Sequence, residues 1–319
     1  REVAHWYRVA ADLGDVQAQF MFGCLYARGE GVALDLKHAA RYFELAASGG
    51  HPQAAFNLGV FSLNGQGTEQ NVAEAKRWFA IAATGGLAQA QLRLGQILIR
   101  EAVTQVEIAS ARILIERASD AGSEEAKVAL ARMLLADGST DSEQKALVVL
   151  REAANAGEVE ACELLLQKEA PGRNLEAVIQ VLQRAARSGK PSAKFILAEA
   201  MLTGERVPRD VLTAIALLKE AAAGQEARAH FLLGVAYCQG VHVSQDLSRG
   251  YRHYLEAARL NHPLAQYNTG VMLLQGTGAE KNVEEAINWI RHAASNNVDK
   301  AVELIQSLEP RALLSDTNA

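Results

Sequence analysis

The stretch RYFELAASGGHPQAAFNLG, residues 41–59, decides how the rest of the chain is read. Two large residues, Tyr42-Phe43, stand one helical turn before the small pair Ala46-Ala47, which puts bulk and gap on one helix face. Gly49 follows, and glycine tolerates the left-handed backbone that ends many helices. Pro52 stands where a new helix opens, a position at which a missing N–H costs no hydrogen bond. Ala54 and, five residues on, Gly59 give that helix two small positions. The unit reads as helix, turn, helix, with no room for a strand.

The unit recurs. Its alanine pair appears at Ala10-Ala11, Ala46-Ala47, Ala82-Ala83, Ala153-Ala154, Ala185-Ala186, Ala221-Ala222, Ala257-Ala258 and Ala293-Ala294, with Ala118-Ser119 filling the gap. The steps are 36, 36, 36, 35, 32, 36, 36 and 36 residues. A fixed period of this size marks a solenoid of stacked units, in which each repeat touches only its neighbours. The large residues recur in step, from Trp6-Tyr7 through Trp78-Phe79 to Trp289-Ile290, and all three tryptophans are expected in the core. A C-cap ladder is expected at Gly14, Gly49, Gly85, Gly122, Gly157, Gly189 and Gly224, with Asn261 and Asn297 completing it. The second helix of each repeat opens on a capping residue: Asp35, Asn71, Ser142, Asn174, Asp210, Asp246 or Asn282. Glycine inside a helix costs roughly 1 kcal/mol against alanine. Its return at Gly23, Gly59, Gly95, Gly234 and Gly270 therefore calls for a close helix crossing.

Composition removes several function classes. The 319 residues carry 49% hydrophobic and 22% charged side chains, enough to bury a core. A net charge of -5 argues against a nucleic-acid partner, which would favour a basic excess. No apolar run of about 18 residues is present, so no membrane insertion is expected. Cys24, Cys162 and Cys238 lie in the first helices of different repeats with no paired spacing, and they read as small buried hydrophobes. Unpaired thiols point towards a reducing, cytoplasmic compartment.

No catalytic residues, cofactor site or metal site are expected. Eight histidines are scattered, and none forms an HxxxH pair with a carboxylate. His51 and His262 share one repeat position before a proline, which suits a structural role. Gly65-Gln-Gly67 and Gly276-Thr-Gly278 join helix to helix and lack the third glycine of a dinucleotide fingerprint. Carboxylates are spread over exposed helical positions, so an enzyme is not expected.

Residues 18–26 (AQFMFGCLY), 28–32 (RGEGV), Asp35 and Ala46-Ala47 resemble the Sel-one-like repeat, a tetratricopeptide-related family; residues 54–86 and 265–297 resemble it as closely. The resemblance implies an all-α fold, a right-handed superhelical α-solenoid of stacked antiparallel helix pairs, covering residues 1–319. Residues 1–14 read as the second half of a truncated repeat, 15–98 and 190–298 as regular repeats, and 99–189 as irregular middle repeats that have lost the loop glycines and turn on Pro171-Gly172. A terminal helix near 299–308 and a frayed tail to 319 follow.

The resemblance implies a scaffold or adaptor that offers a concave groove to a protein or peptide partner in a multiprotein, bacterial assembly. The alternative is a recruiting or regulatory module of a larger protein. The family also occurs in the periplasm and envelope, which is the alternative to the cytoplasm. In such superhelices the first helices line the groove. Candidate contacts then lie three, six and about ten residues after the first-helix alanine. They include Asn57, Asn64, Arg93, Gln96, Arg100, Arg132 and Asn268, with Gln167 and Glu199 in the same registers. Arg93, Gln96, Arg100 and Arg132 come from consecutive repeats, so an acidic or extended peptide segment is expected there.

Overall fold

The computed structural model describes residues 2–168 and 175–315, and all regular structure within them is helical. The chain forms two compact units that divide between Glu158 and Val159. The first holds α1 (Glu2–Asp12), α2 (Val16–Arg28), α3 (Leu36–Ser48), α4 (Pro52–Asn64), α5 (Val72–Thr84), α6 (Ala88–Glu101), α7 (Gln105–Asp120), α8 (Glu124–Asp137) and α9 (Thr140–Asn155). The second holds α10 (Val159–Lys168), α11 (Leu175–Arg187), α12 (Pro191–Thr203), α13 (Val211–Ala223), α14 (Ala227–Gln239), α15 (Leu247–Arg259), α16 (Pro263–Gln275), α17 (Val283–Ser295) and α18 (Asp299–Ser315). Within each unit every helix packs on the one before and the one after it, the arrangement of an α-solenoid. The pairs α2–α3 through α16–α17 are the repeats, and none of the described helices is long and apolar enough to cross a membrane.

The two large residues of each second helix have different environments. The second of them is the core residue: Phe43, Phe79, Ile115, Leu150, Leu182, Leu218, Tyr254 and Ile290 are buried. The first lies about 100° further round the helix. Trp78 and Trp289 accordingly sit half-buried at the rim. Trp6 is 69% exposed, contrary to the expectation that all three tryptophans are core.

The helical glycines face these core residues. A methyl group at Gly23 would stand 2.7 Å from the Phe43 ring, at Gly59 2.6 Å from Phe79, and at Gly234 2.6 Å from Tyr254. Gly95 and Gly270 meet Ile115 and Ile290 in the same way. The close crossing is thus between the two helices of one repeat. In the central repeats Ala131 and Ala198 take the glycine position, and the opposing register holds leucine, Leu150 or Leu218, instead of an aromatic ring.

Several turn details differ from expectation. The left-handed residue is Gly50 and Gly86, not Gly49 and Gly85, which have φ of -79° and -73°. Gly49 and Gly85 answer a different demand: a methyl there would strike Val16 or Pro52, which opens the first helix of the same repeat. The same shift puts Gln225, not Gly224, at φ 63°. Non-glycine residues pay roughly 1–2 kcal/mol for that conformation. Replacing Gln225 by glycine is therefore expected to raise the melting temperature by a few degrees, read by calorimetry; an unchanged or lower value would show that its side chain compensates.

Asp35, Asn71, Asp210, Asp246 and Asn282 cap their helices as expected. Ser142 does not. Ser139 caps α9, and Ser142 lies three residues inside, its hydroxyl donating to Asp137 at 2.5 Å. Thr104 caps α7 in a reciprocal box with Glu107, replacing the missing glycine loop. The terminal helix expected over 299–308 extends as far as Ser315, and the last residues of the tail lie outside the described residues. The expected Asn174 cap and Pro171-Gly172 turn lie outside the described residues.

Candidate functional site

The candidate contacts sit on first helices: Asn57 and Asn64 on α4, Arg93, Gln96 and Arg100 on α6, Arg132 on α8, and Asn268 on α16. Asn64, Arg93, Arg100 and Arg132 are exposed, whereas Asn57, Gln96 and Asn268 are half-buried. Arg93 ties two of these helices together. Its guanidinium donates to Gln96 Oε1 at 3.2 Å and reaches Glu125 Oε1 on α8 at 3.5 Å. Asn268 lies next to the Tyr254 hydroxyl inside its own unit, as does Cys238. Burial of that hydroxyl pushes its pKa up to about 12.

In the second unit Gln167 and Glu199 come together. They line a cavity of about 270 Å³ between α10 and α12, closed by Glu163, Ile196 and Arg206. Burial, and then the charge of Glu163, lift the Glu199 carboxyl above the ordinary carboxylate range, while Arg228 acts the other way. Arg228 holds Glu163 at 2.6 Å and Glu226 at 3.0 Å, with its guanidinium 4.4 Å over the Phe195 ring. One arginine thus fixes one wall of an acidic concavity.

A further row was not legible in the sequence. In four repeats the residue after the first-helix alanine lies over the preceding alanine pair. Gln19 donates to Ala11 O at 3.3 Å, Gln91 to Ala83 O at 3.3 Å and Gln266 to Ala258 O at 3.4 Å. His230 occupies the same register, its Nε2 3.0 Å from Ala222 O. These buried amides link each repeat to the one before it, because a polar group taken from water needs a partner. His51 and His262 also have a structural part: each accepts an amide at 3.3 Å as an N-cap and stacks on Phe20 or Phe231.

The Sel1 repeat family model matches residues 4–15, 16–51, 52–87, 88–123, 191–225, 227–262 and 263–298. The chain is a Sel1 repeat protein. Repeats of this family are generally non-catalytic protein–protein interaction scaffolds. Residues 88–123 match despite the lost loop glycines, and residues 124–190 carry no match.

Solved structures agree with this Sel1 reading. The protective antigen c5321 of uropathogenic Escherichia coli, which displays an SLR fold, is 25% identical over 96% of this chain, with a TM-score of 0.59. This chain spans 66% of that antigen's length. A Sel1 repeat protein from Oxalobacter formigenes is 27% identical over 95% of this chain and 89% of its own, with a TM-score of 0.54. Yeast Tom70 shares the fold alone, at 12% identity and a TM-score of 0.56 over 93% of this chain and 65% of its own. No curated protein matches the chain significantly.

Proposed function

We propose that this Sel1 repeat chain is an adaptor whose first-helix face receives a peptide segment of a protein partner, within a bacterial multiprotein assembly, and that it does no chemistry of its own. The observation that carries the reading is the run of exposed Arg93, Arg100 and Arg132 on the first helices of consecutive repeats. Guanidinium forks at repeat spacing suit carboxylates along an extended chain. Asn57, Asn64 and Gln96 lie in the same registers and would serve the peptide backbone. The two bacterial Sel1 relatives support the setting.

Affinity capture with mass spectrometry from the native cell, comparing the chain with its Arg93→Glu/Arg132→Glu variant, tests this. The variant is expected to lose its principal partners while its melting curve moves little, since an exposed ion pair such as Arg93–Glu125 contributes about 0–1 kcal/mol. An unchanged set of captured partners would remove this face as the binding surface.

A further inference from the structure

A second concavity, of about 390 Å³, opens on α13–α15, and its lining is basic and aromatic. Lys219 enters from α13, His230 and Tyr237 from α14, and Arg249, Arg252 and His253 from α15. The corresponding positions of the next repeat, on α16 and α17, hold Gln266, Leu273, Glu285, Asn288 and Trp289. The cluster is therefore not a demand of the repeat. It replaces an amide, an apolar side chain and a carboxylate by basic and aromatic groups.

The two imidazoles meet. His230 Nε2 faces the Ala222 carbonyl, so it carries the proton and donates, which leaves Nδ1 as an acceptor. That Nδ1 is 3.1 Å from His253 Nδ1, which must then carry a proton. Both rings are neutral in this arrangement. His253 lies parallel to the Tyr237 ring, 4° between planes at 5.5 Å, and Arg249 approaches that ring to 5.8 Å. Burial first, then His230, Arg252 and Lys219, push His253 down to about 4, with Glu256 acting the other way.

The compensating charges are few. Glu256 lines the concavity, but Arg259 holds it at 2.7 Å. Asp246 takes the Arg249 Nε at 3.3 Å, and Arg252 Nε has a backbone carbonyl, that of Ser248, at 3.4 Å. Lys219, Arg249 and Arg252 thus surround two imidazoles that can each accept a proton. Such a field lacks an anion, and supplying one would draw the histidines towards their charged form.

We propose that the α13–α15 concavity binds a phosphate monoester carried on a side chain of the partner protein. A phosphorylated side chain brings about −1.5 to −2 charges and three acceptor oxygens, enough to engage Lys219, Arg249 and Arg252 together. A carboxylate brings one charge and two oxygens. The partner half of the proposal rests on the adaptor reading above; the phosphate half does not.

The test is the full chain labelled with ¹⁵N-histidine, observed by NMR at pH 6.5. Inorganic phosphate is expected to shift the His230 and His253 ring nitrogens saturably and to raise the His253 midpoint by a unit or more, while chloride at equal ionic strength does neither. The Lys219→Gln/Arg252→Gln variant is expected to weaken this binding at least tenfold with both histidines still hydrogen-bonded. No saturable shift, or a variant that binds equally well, would overturn the site. A short alanine peptide with a central phosphoserine is expected to bind more tightly than phosphate alone and at least tenfold more tightly than its glutamate counterpart. Equal binding of the glutamate peptide would overturn the phosphate preference. A peptide no tighter than phosphate, with phosphatidic acid vesicles binding instead, would overturn the protein partner and leave the adaptor reading to its own test.

Discussion

Replacing Gly59 by valine is expected to destabilise the first unit by about 3 kcal/mol, the upper part of the range for forced overpacking of a core. The reason is local. Gly59 on α4 lies against the ring of Phe79, a fully buried side chain, and even a methyl group would come within 2.6 Å of it. The smaller Gly59→Ala change gains about 1 kcal/mol of helix propensity but meets the same ring. It is expected to remain net destabilising by about 1 kcal/mol. The central repeats indicate the remedy, because there alanine on the first helix goes with leucine on the second. Gly59→Ala/Phe79→Leu is therefore expected to be more stable than the sum of its single changes by about 1 kcal/mol. Urea denaturation followed by circular dichroism checks all four chains. Strict additivity would show that the glycine register has another cause.

Acid is expected to destabilise the chain between pH 6.5 and 4, before most of its carboxylates titrate. His51, His230, His253 and His262 all lie below the ordinary histidine value, each chiefly through burial, and His253 falls to about 4. A histidine depressed in the fold takes up its proton more readily when unfolded. Its contribution is thus fully present above the unfolded pKa, and is lost as pH falls through the folded one. Structure gives the same sign, since His51 and His262 must present a bare Nδ1 to cap α4 and α16. Glu199, raised by burial, runs the opposite way and offsets a part. Asp35, Asp137, Asp210 and Glu107 are depressed by hydrogen bonds from their capping partners and lose their contribution only at lower pH. The melting temperature is expected to drop by roughly 5 °C or more from pH 7 to pH 5, at about 2–4 °C per kcal/mol for units of this size. Calorimetry of the chain beside its His253→Gln variant measures it. A flat profile, or an equal slope in the variant, would show that His253 ionises freely in the fold.

The period, the glycine register, most caps and the role of His51 and His262 were legible because each depends on residues close in sequence. Most of what was not legible depends on contacts between residues distant in sequence. Gly49 and Gly50 are adjacent; Val16, 33 residues earlier on the first helix of the same repeat, leaves no room for a side chain at Gly49, while Gly50 takes the left-handed turn. Ser139 and Ser142 can both cap, and the choice falls to the residue whose backbone stays extended. Gln19, Gln91 and Gln266 have no role in the sequence pattern until the preceding alanine carbonyls are placed beneath them. His230 and His253 are 23 residues apart and meet only across the pair α14–α15. For the face proposed to receive a partner, exposed arginines on consecutive first helices were legible, but not the pairing of Arg93 with Glu125.

The turn glycines carry one more consequence. Gly49 rests on Val16, Gly85 on Pro52 and Gly224 on Pro191, in each case the opening residue of the first helix of the same repeat, with no clearance for a methyl group. At its other end Gly67 lies against the Leu36 carbonyl, and Gly278 against that of Leu247. Bare backbone therefore sets two spacings, the first between the two helices of one repeat and the second between neighbouring repeats, like washers of fixed thickness. A side chain introduced at one such contact acts as a shim. It widens one joint on one side, and every repeat beyond that joint within the unit inherits the tilt, so a residue far from the candidate face can displace the arginines on it.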